Sequence, residues 1–242
     1  TEKNDVVFIV TCLALCLAGE GVMMLLTQGL HRTLSLGPIY FDYNDATGRV
    51  SGSLGAANIA ASFFNLLIPL CFCLLFSSSS KRLRQLLAVA LFFGGLGLVL
   101  TQSRGGWIGT TLSIGMCVAV ALQKGWLPPA LFIKFSLGSL LLIAVCFPLL
   151  AERIFGDDNG SAQSRISLMQ ISTHIISDYP FGVGANNWAV AGKHYADLTD
   201  FREEWFYTVH NKYLLVLTEV GPIGLLAFGV FILTTIRSGW RT

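Results

Sequence analysis

Long apolar runs, each near the length of a membrane-crossing helix, alternate along this chain with short polar segments. A helix needs about 20 mostly apolar residues to cross a bilayer. Six stretches qualify, at residues 6–27, 56–76, 85–101, 105–122, 130–150 and 213–236. The third and fourth are separated by a tight turn, which predicts a helical hairpin. The rhythm breaks once, in the polar stretch from 151 to 210. Within it Ser161–Asp178 reads as a helix, with Ser161 or Ser164 as its N-cap. At 100° per residue, Ile166, Leu168, Met169, Ile171, Ile175 and Ile176 share one apolar face. Arg165 falls near the middle of that face, where an unpaired charge costs several kcal/mol. This predicts a buried arginine with a partner. The helix ends at Tyr179-Pro180, and Gly182-Val183-Gly184 forms a turn.

The pattern predicts an all-α fold. It is a polytopic membrane helical bundle of about six transmembrane helices, a single membrane domain over 1–242, carrying a large, partly helical loop at 151–211. Basic residues orient it. Lys81, Arg82 and Arg84 follow the second run, Lys124 the fourth, and Arg237 and Arg241 the sixth. The positive-inside rule puts these on the cytoplasmic side, so 28–55, the Ser103-Arg104 turn and the long loop face outward. Thr1 is not Met and no basic leader precedes the first run, so the chain reads as part of a longer membrane protein.

Composition agrees with the pattern. The 242 residues are 53% hydrophobic and 12% charged, with a mean hydropathy of +0.64. Soluble domains carry roughly 25% charged residues. The formal net charge of +2 comes with no basic, aromatic-interleaved stripe, which argues against nucleic acid as a partner. All six cysteines lie in apolar runs and no CxxC pair occurs, so they read as small hydrophobes rather than zinc ligands or disulfides. No HExxH or paired His/Asp spacing is present, so neither a metal nor another cofactor is expected.

Several polar residues then stand out against the apolar background. Arg104, in Thr101-Gln102-Ser103-Arg104-Gly105-Gly106-Trp107, sits at the outer interface. It is either a snorkelling cation or a phosphate clamp, since guanidinium binds phosphate oxygens bidentately and keeps its charge. Arg49 precedes the second run, with Asn58 and Asn65 beyond it; Asp42 and Asp45 offer it salt bridges, and a substrate phosphate is the other reading. His210-Asn211 stands at the lip of the last run. Imidazole is the natural general base near neutral pH; the alternative is an interfacial anchor beside Trp205, Phe206 and Tyr207. Glu20 and Glu219 lie inside apolar runs, where ionisable groups are functional candidates by default. His31, His174 and His194 read as surface residues.

Taken together, these residues resemble the O-antigen ligase and polymerase family of bacterial inner-membrane glycan transferases. His210-Asn211, nine residues, then Gly221-x-x-Gly224 matches the ligase signature, and Ser103-Arg104-Gly105 resembles the family's Ser-Arg-Gly turn. Gly48-Arg49 with Gly52 and Asn58 resembles the start of the shared domain, and Arg165 with Pro180 and Gly182-x-Gly184 its large periplasmic loop. The likeness runs from Arg49 to Phe228. Family members usually have ten or more spans, and only six runs are present here. The resemblance implies a multi-pass, metal-independent glycosyltransferase facing the periplasm, with membrane lipid around it. Its donor would be a glycan on undecaprenyl diphosphate and its acceptor a sugar hydroxyl, commonly on lipid A-core. His210 would be the general base, Arg104 and Arg165 the catalytic cations, and Arg49 and Asn211 substrate contacts. Gly221 and Gly224 would be structural, permitting close helix packing. A polymerase of lipid-linked repeat units and a protein glycan transferase share this chemistry. A fragment of a transporter or of a lipid-binding scaffold is the non-enzymatic alternative.

Overall fold

The computed structural model describes residues 2–77, 80–125, 137, 151, 161–199, 201 and 208–241. It is mostly helical and forms two compact units, 1–156 and 157–242. Five helices among the described residues are long and apolar enough to cross a membrane: Asn4–Leu30, Ala57–Phe76, Lys81–Leu100, Arg104–Gln123 and Lys212–Trp240. Five of the six expected spans are thus present, and the fifth in chain order, at 130–150, lies outside the described residues apart from residue 137.

In the first unit, α1 (Glu2–Leu30), α2 (Ala57–Ser77), α3 (Lys81–Leu100) and α4 (Arg104–Gln123) pack through small residues. Apolar side chains gain little from leaving lipid for one another, so helices in a membrane associate where their backbones can approach closely. Gly94 leaves room for Leu17 of α1, whose Cδ1 would lie 2.5 Å from an added Cβ. At Gly97 the neighbour is Phe64 Cζ of α2, at 2.6 Å, and at Gly106 it is Ala61 Cβ, at 2.7 Å. The core is Ala14, Leu17, Met24, Ala60, Phe64, Leu67, Cys71, Leu87 and Ala90, all buried. The third and fourth spans are joined by the expected tight turn, but they do not form a packed hairpin. Helix α3 lies mainly on α1 and α2, and α4 lies on α2. Two polar pairs fix the α2–α4 register. Ser103 Oγ donates to Asn58 Oδ1 at 3.1 Å, and seven residues further along each helix Thr110 Oγ1 donates to Asn65 Oδ1.

A small sheet, which the apolar pattern did not announce, fills part of the expected outer segment 28–55. Strands β1 (Leu34–Leu36), β2 (Ile39–Asn44) and β3 (Arg49–Gly52) form an antiparallel meander. Gly37, at φ +61, and Pro38 make the two-residue first turn, a combination suited to tight hairpins. Asn44 organises the second, accepting from Thr47 N–H on its side chain at 3.0 Å and from Gly48 N–H on its carbonyl at 2.8 Å. Glu20 of α1 anchors the end of β3: its carboxylate accepts from Ser53 N–H at 2.7 Å and from Ser53 Oγ at 2.8 Å. This apolar-run carboxylate therefore has a structural task.

In the second unit, α5 (Ser161–Asp178), the short α6 (Trp188–Gly192), a 3-10 turn (Lys193–Leu198) and α7 (Lys212–Arg241) enclose a separate core. That core is Leu168, Ile171, Ile175, Trp188 and Val209. Helix α7 has 30 residues, about 45 Å at 1.5 Å per residue. It is interrupted at Gly221, which has φ 77 and ψ −175. The part from 222 to 241, about 30 Å long, is by itself sufficient to cross a hydrocarbon core.

Candidate active site

The motif His210-Asn211 is placed by its neighbours on both sides. Val209 is buried in the core of the second unit. Asn211 is the N-cap of α7: its Oδ1 accepts from Tyr213 N–H and Leu214 N–H, each at 3.1 Å, and its carbonyl accepts from Leu215 N–H at 2.8 Å. Such a cap satisfies amides that the first turn of a helix leaves unpaired. His210, held between an anchored valine and a helix cap, is exposed. Its side chain lines a cavity of about 430 Å³ together with Arg165, Met169, Asn211, Lys212 and Tyr213.

Arg165 therefore reaches the cavity with His210, but not from the buried face expected of it. The buried stripe of α5 is Ser167, Leu168, Ile171, Ser172 and Ile175, while Arg165 is exposed. Ile166 and Met169, read as core residues, are 49% and 45% exposed. The reason is Trp188, fully buried against this helix, whose indole Nε1 donates to Ser172 Oγ at 2.9 Å. That contact turns the serine-bearing stripe inward and leaves the arginine on the cavity side. Further along α5, His174 stacks on Tyr195, centroids 6.0 Å apart, and Tyr195 OH donates to Asp178 Oδ2 at 2.6 Å. This hydrogen bond, with some burial, pushes the phenol up to about 12. Because the bonded form is the neutral one, the contact helps the fold below the phenol's ordinary pKa of about 10 and is lost as pH rises through the shifted value.

The second half of the motif explains the break in α7. Pro222 has no N–H for the carbonyl of residue 218, and the non-helical Gly221 disrupts the next bond. The loop after α5 supplies the missing donors. Val183 N–H donates to Thr218 O at 3.0 Å and Gly184 N–H to Glu219 O at 2.8 Å. Gly221 lies so close to this loop that a Cβ there would be 2.5 Å from Phe181 O. Its close contact is therefore with a loop backbone rather than another helix. Gly224 instead leaves room for the side chain of Val220 in its own helix.

Arg49 and Arg104 belong to the first unit. Arg49 Nε donates to Thr101 O at 2.9 Å and its Nη2 to Asn58 Oδ1 at 3.0 Å, bracing β3 against the α3–α4 turn. Gln102, at φ 50, adds a bond to Gly48 O at 3.4 Å. Ser103 caps α4, accepting from Gly106 N–H at 3.3 Å, and Arg104 is the first residue of that helix, half-buried. The flanking serine thus does the capping, and the guanidinium stands at a helix N-terminus, a position where anions are favoured. Arg49→Lys is expected to lower the unfolding temperature, because an ammonium lacks the two separate, rigidly spaced nitrogens that make these bonds. The loss should be about 1–2 kcal/mol, read by thermal unfolding in detergent.

Sequence reasoning did not single out Lys212, Met169 or Tyr213 as cavity residues, although Lys212 directly follows the motif. Trp188 carried no local signal, nor did the hydrogen bond that Glu219 Oε1 accepts from the Trp188 backbone N–H at 3.2 Å.

The spans define a multi-pass membrane protein, and its second unit carries a cavity lined by an imidazole, a guanidinium and an ammonium at the head of α7. The chain belongs to the O-antigen ligase family: the model of that family matches residues 87–229, from within α3 past the break in α7. This is a family of membrane enzymes of lipid-linked glycan transfer. Arg104, Arg165, His210, Asn211, Gly221 and Gly224 fall inside the match, while Arg49 precedes it. Comparison with curated proteins and with solved structures gave no match.

Proposed function

We propose that this protein moves a glycan from undecaprenyl diphosphate to a sugar hydroxyl, such as one on lipid A-core, at the periplasmic face of the bacterial inner membrane. The observation that carries the reading is that Arg165 and His210, from different elements, line one cavity. In the proposed step the acceptor oxygen attacks the anomeric carbon and gives its proton to the His210 imidazole. The bond from that carbon to the diphosphate breaks, and undecaprenyl diphosphate leaves with the electron pair. An acceptor hydroxyl is a weak nucleophile, so a base at hydrogen-bond range contributes directly.

The departing diphosphate gains charge, and fixed cations stabilise it without a metal. Arg165 takes this role, with Lys212 as a second cation in the same cavity. For Arg104 and Arg49, both in the first unit, the proposed role is contact with anionic substrate, and Arg49 also braces the fold. The Oδ1 of Asn211 is engaged in capping, so its amide nitrogen is the group offered to substrate.

The test is transfer by the purified protein from a lipid-linked donor to a panel of acceptors, with and without EDTA. Lipid A-core glycosylation that survives EDTA is the expected result. Growth of the lipid-linked chain itself would identify a polymerase, and a glycosylated protein hydroxyl a protein transferase. A protein that binds the donor but transfers to nothing would be a scaffold.

A further inference from the structure

The proposed chemistry needs Arg165 and His210 at a fixed separation, yet the two come from α5 and from the residue before the cap of α7. Trp188 ties those helices together. Its indole Nε1 donates to Ser172 Oγ of α5 at 2.9 Å, and that hydroxyl in turn donates to Leu168 O at 2.9 Å. Its backbone N–H donates to Glu219 Oε1 of α7 at 3.2 Å. One fully buried residue thus holds α5 through its ring and α7 through its amide.

Glu219 is held a second time through its own carbonyl, which accepts from Gly184 N–H at 2.8 Å. The side chain of Asn187 closes the turn between these contacts, donating to Val183 O at 3.0 Å. Glutamate inside an apolar run invites a proton-handling role, but this carboxylate accepts from the Trp188 amide. Glu219 is not among the residues lining the cavity of His210.

We propose that Glu219 is a positioning residue. Its carboxylate latches the 184–188 turn, and with it Trp188 and α5, to α7, and so sets Arg165 against His210. The inference rests on the glycan-transfer reading and adds a residue to it. A displacement of about 1 Å at a reacting centre can cost 100-fold in rate. In the full-length protein Glu219→Ala should therefore lower kcat by about 10- to 100-fold while the donor KM stays within about two-fold, because the cations that bind donor remain. Glu219→Gln keeps an oxygen acceptor for the Trp188 amide and should restore most of kcat. Ser172→Ala, which removes the acceptor of the indole and leaves Glu219 in place, should show the same split in weaker form, and it serves if Glu219→Ala does not fold.

Wild-type kcat in Glu219→Ala, or Glu219→Gln as slow as Glu219→Ala, would overturn the positioning role and leave the transfer reading standing. Absence of transfer in the wild type would sink the transfer reading instead. The latch would then be judged by amide hydrogen exchange across 183–192. Exchange must speed up in Glu219→Ala and hold in Glu219→Gln, and unchanged exchange in both would overturn it.

Discussion

His210→Ala is expected to abolish glycan transfer while donor binding survives. A positioned general base contributes about 10²- to 10⁴-fold, which corresponds to about 3–5 kcal/mol of barrier. Among the described residues no other imidazole lines the cavity, and the remaining polar side chains that do are a guanidinium, an ammonium, an amide and a phenol. None of these accepts a proton readily at neutral pH. Donor affinity depends on the cations instead, and Arg165 and Lys212 remain in the variant. Arg165→Ala should therefore do the opposite, weakening donor binding as well as turnover. Arg165→Lys should rescue poorly, because an ammonium cannot reproduce the bidentate fork on phosphate. The measurement is a donor-binding isotherm beside a transfer rate for each variant. Full turnover in His210→Gln would remove the base from the mechanism.

Both motif glycines should resist alanine, Gly221 the more strongly. Gly221 combines φ 77 with ψ −175, a region essentially closed to residues with a side chain, at a strain of about 1–3 kcal/mol. A Cβ would also meet the Phe181 carbonyl oxygen at 2.5 Å and its carbon at 2.7 Å, and neither backbone atom can swing away. Relief requires the loop to leave α7. That releases the Val183 and Gly184 amides from the carbonyls of Thr218 and Glu219, which Pro222 and the break at Gly221 leave short of helical donors. Gly221→Ala is thus expected to destabilise the second unit by several kcal/mol and to remove activity with it. At Gly224 an added Cβ would meet Val220 Cγ1 and, at 2.5 Å, Val220 Cβ, and a rotamer change moves only the first, so the helix backbone beside the break must shift. Gly224→Ala should therefore also cost stability, but less than Gly221→Ala, because its backbone carries no positive-φ strain and the contact lies within one helix, leaving the loop bonds to Thr218 and Glu219 in place. Equal losses at the two positions, or wild-type stability in Gly224→Ala, in thermal unfolding and transfer, would contradict this ranking.

Much of the fold was legible because lipid imposes a simple rule. A segment that crosses a bilayer must satisfy its own backbone and present apolar side chains, so hydropathy alone locates it. Five expected spans appear as helices for that reason. The sheet at Leu34–Gly52 was harder to see because its strands are short and their register depends on turns and on Glu20 rather than on a repeating apolar pattern. The candidate site was legible in part. His210 and Asn211 stood out because a polar pair at the edge of a long apolar run is conspicuous, and the nine-residue spacing to Gly221 could be read directly. Arg165 was named from helical periodicity, but periodicity put it on the wrong face. The ambiguity is physical: α5 carries apolar residues around most of its circumference, so the tryptophan that docks on it, and not the sequence of α5, selects the buried stripe.

The sequence by itself determined the membrane class, the spans and their order, the imidazole and guanidinium candidates, and the family to which they point. Each is a local property, set by side-chain chemistry and spacing along one segment. Only the tertiary structure decided that Arg165 and His210 share a cavity, that Arg49 and Glu20 are braces, and that the amides of 183–184 complete the break in α7. Those outcomes depend on contacts between segments distant in the chain, where one hydrogen-bond donor or one buried indole changes which face of a helix looks outward. No local pattern encodes such a choice, because it is settled by whichever partner arrives.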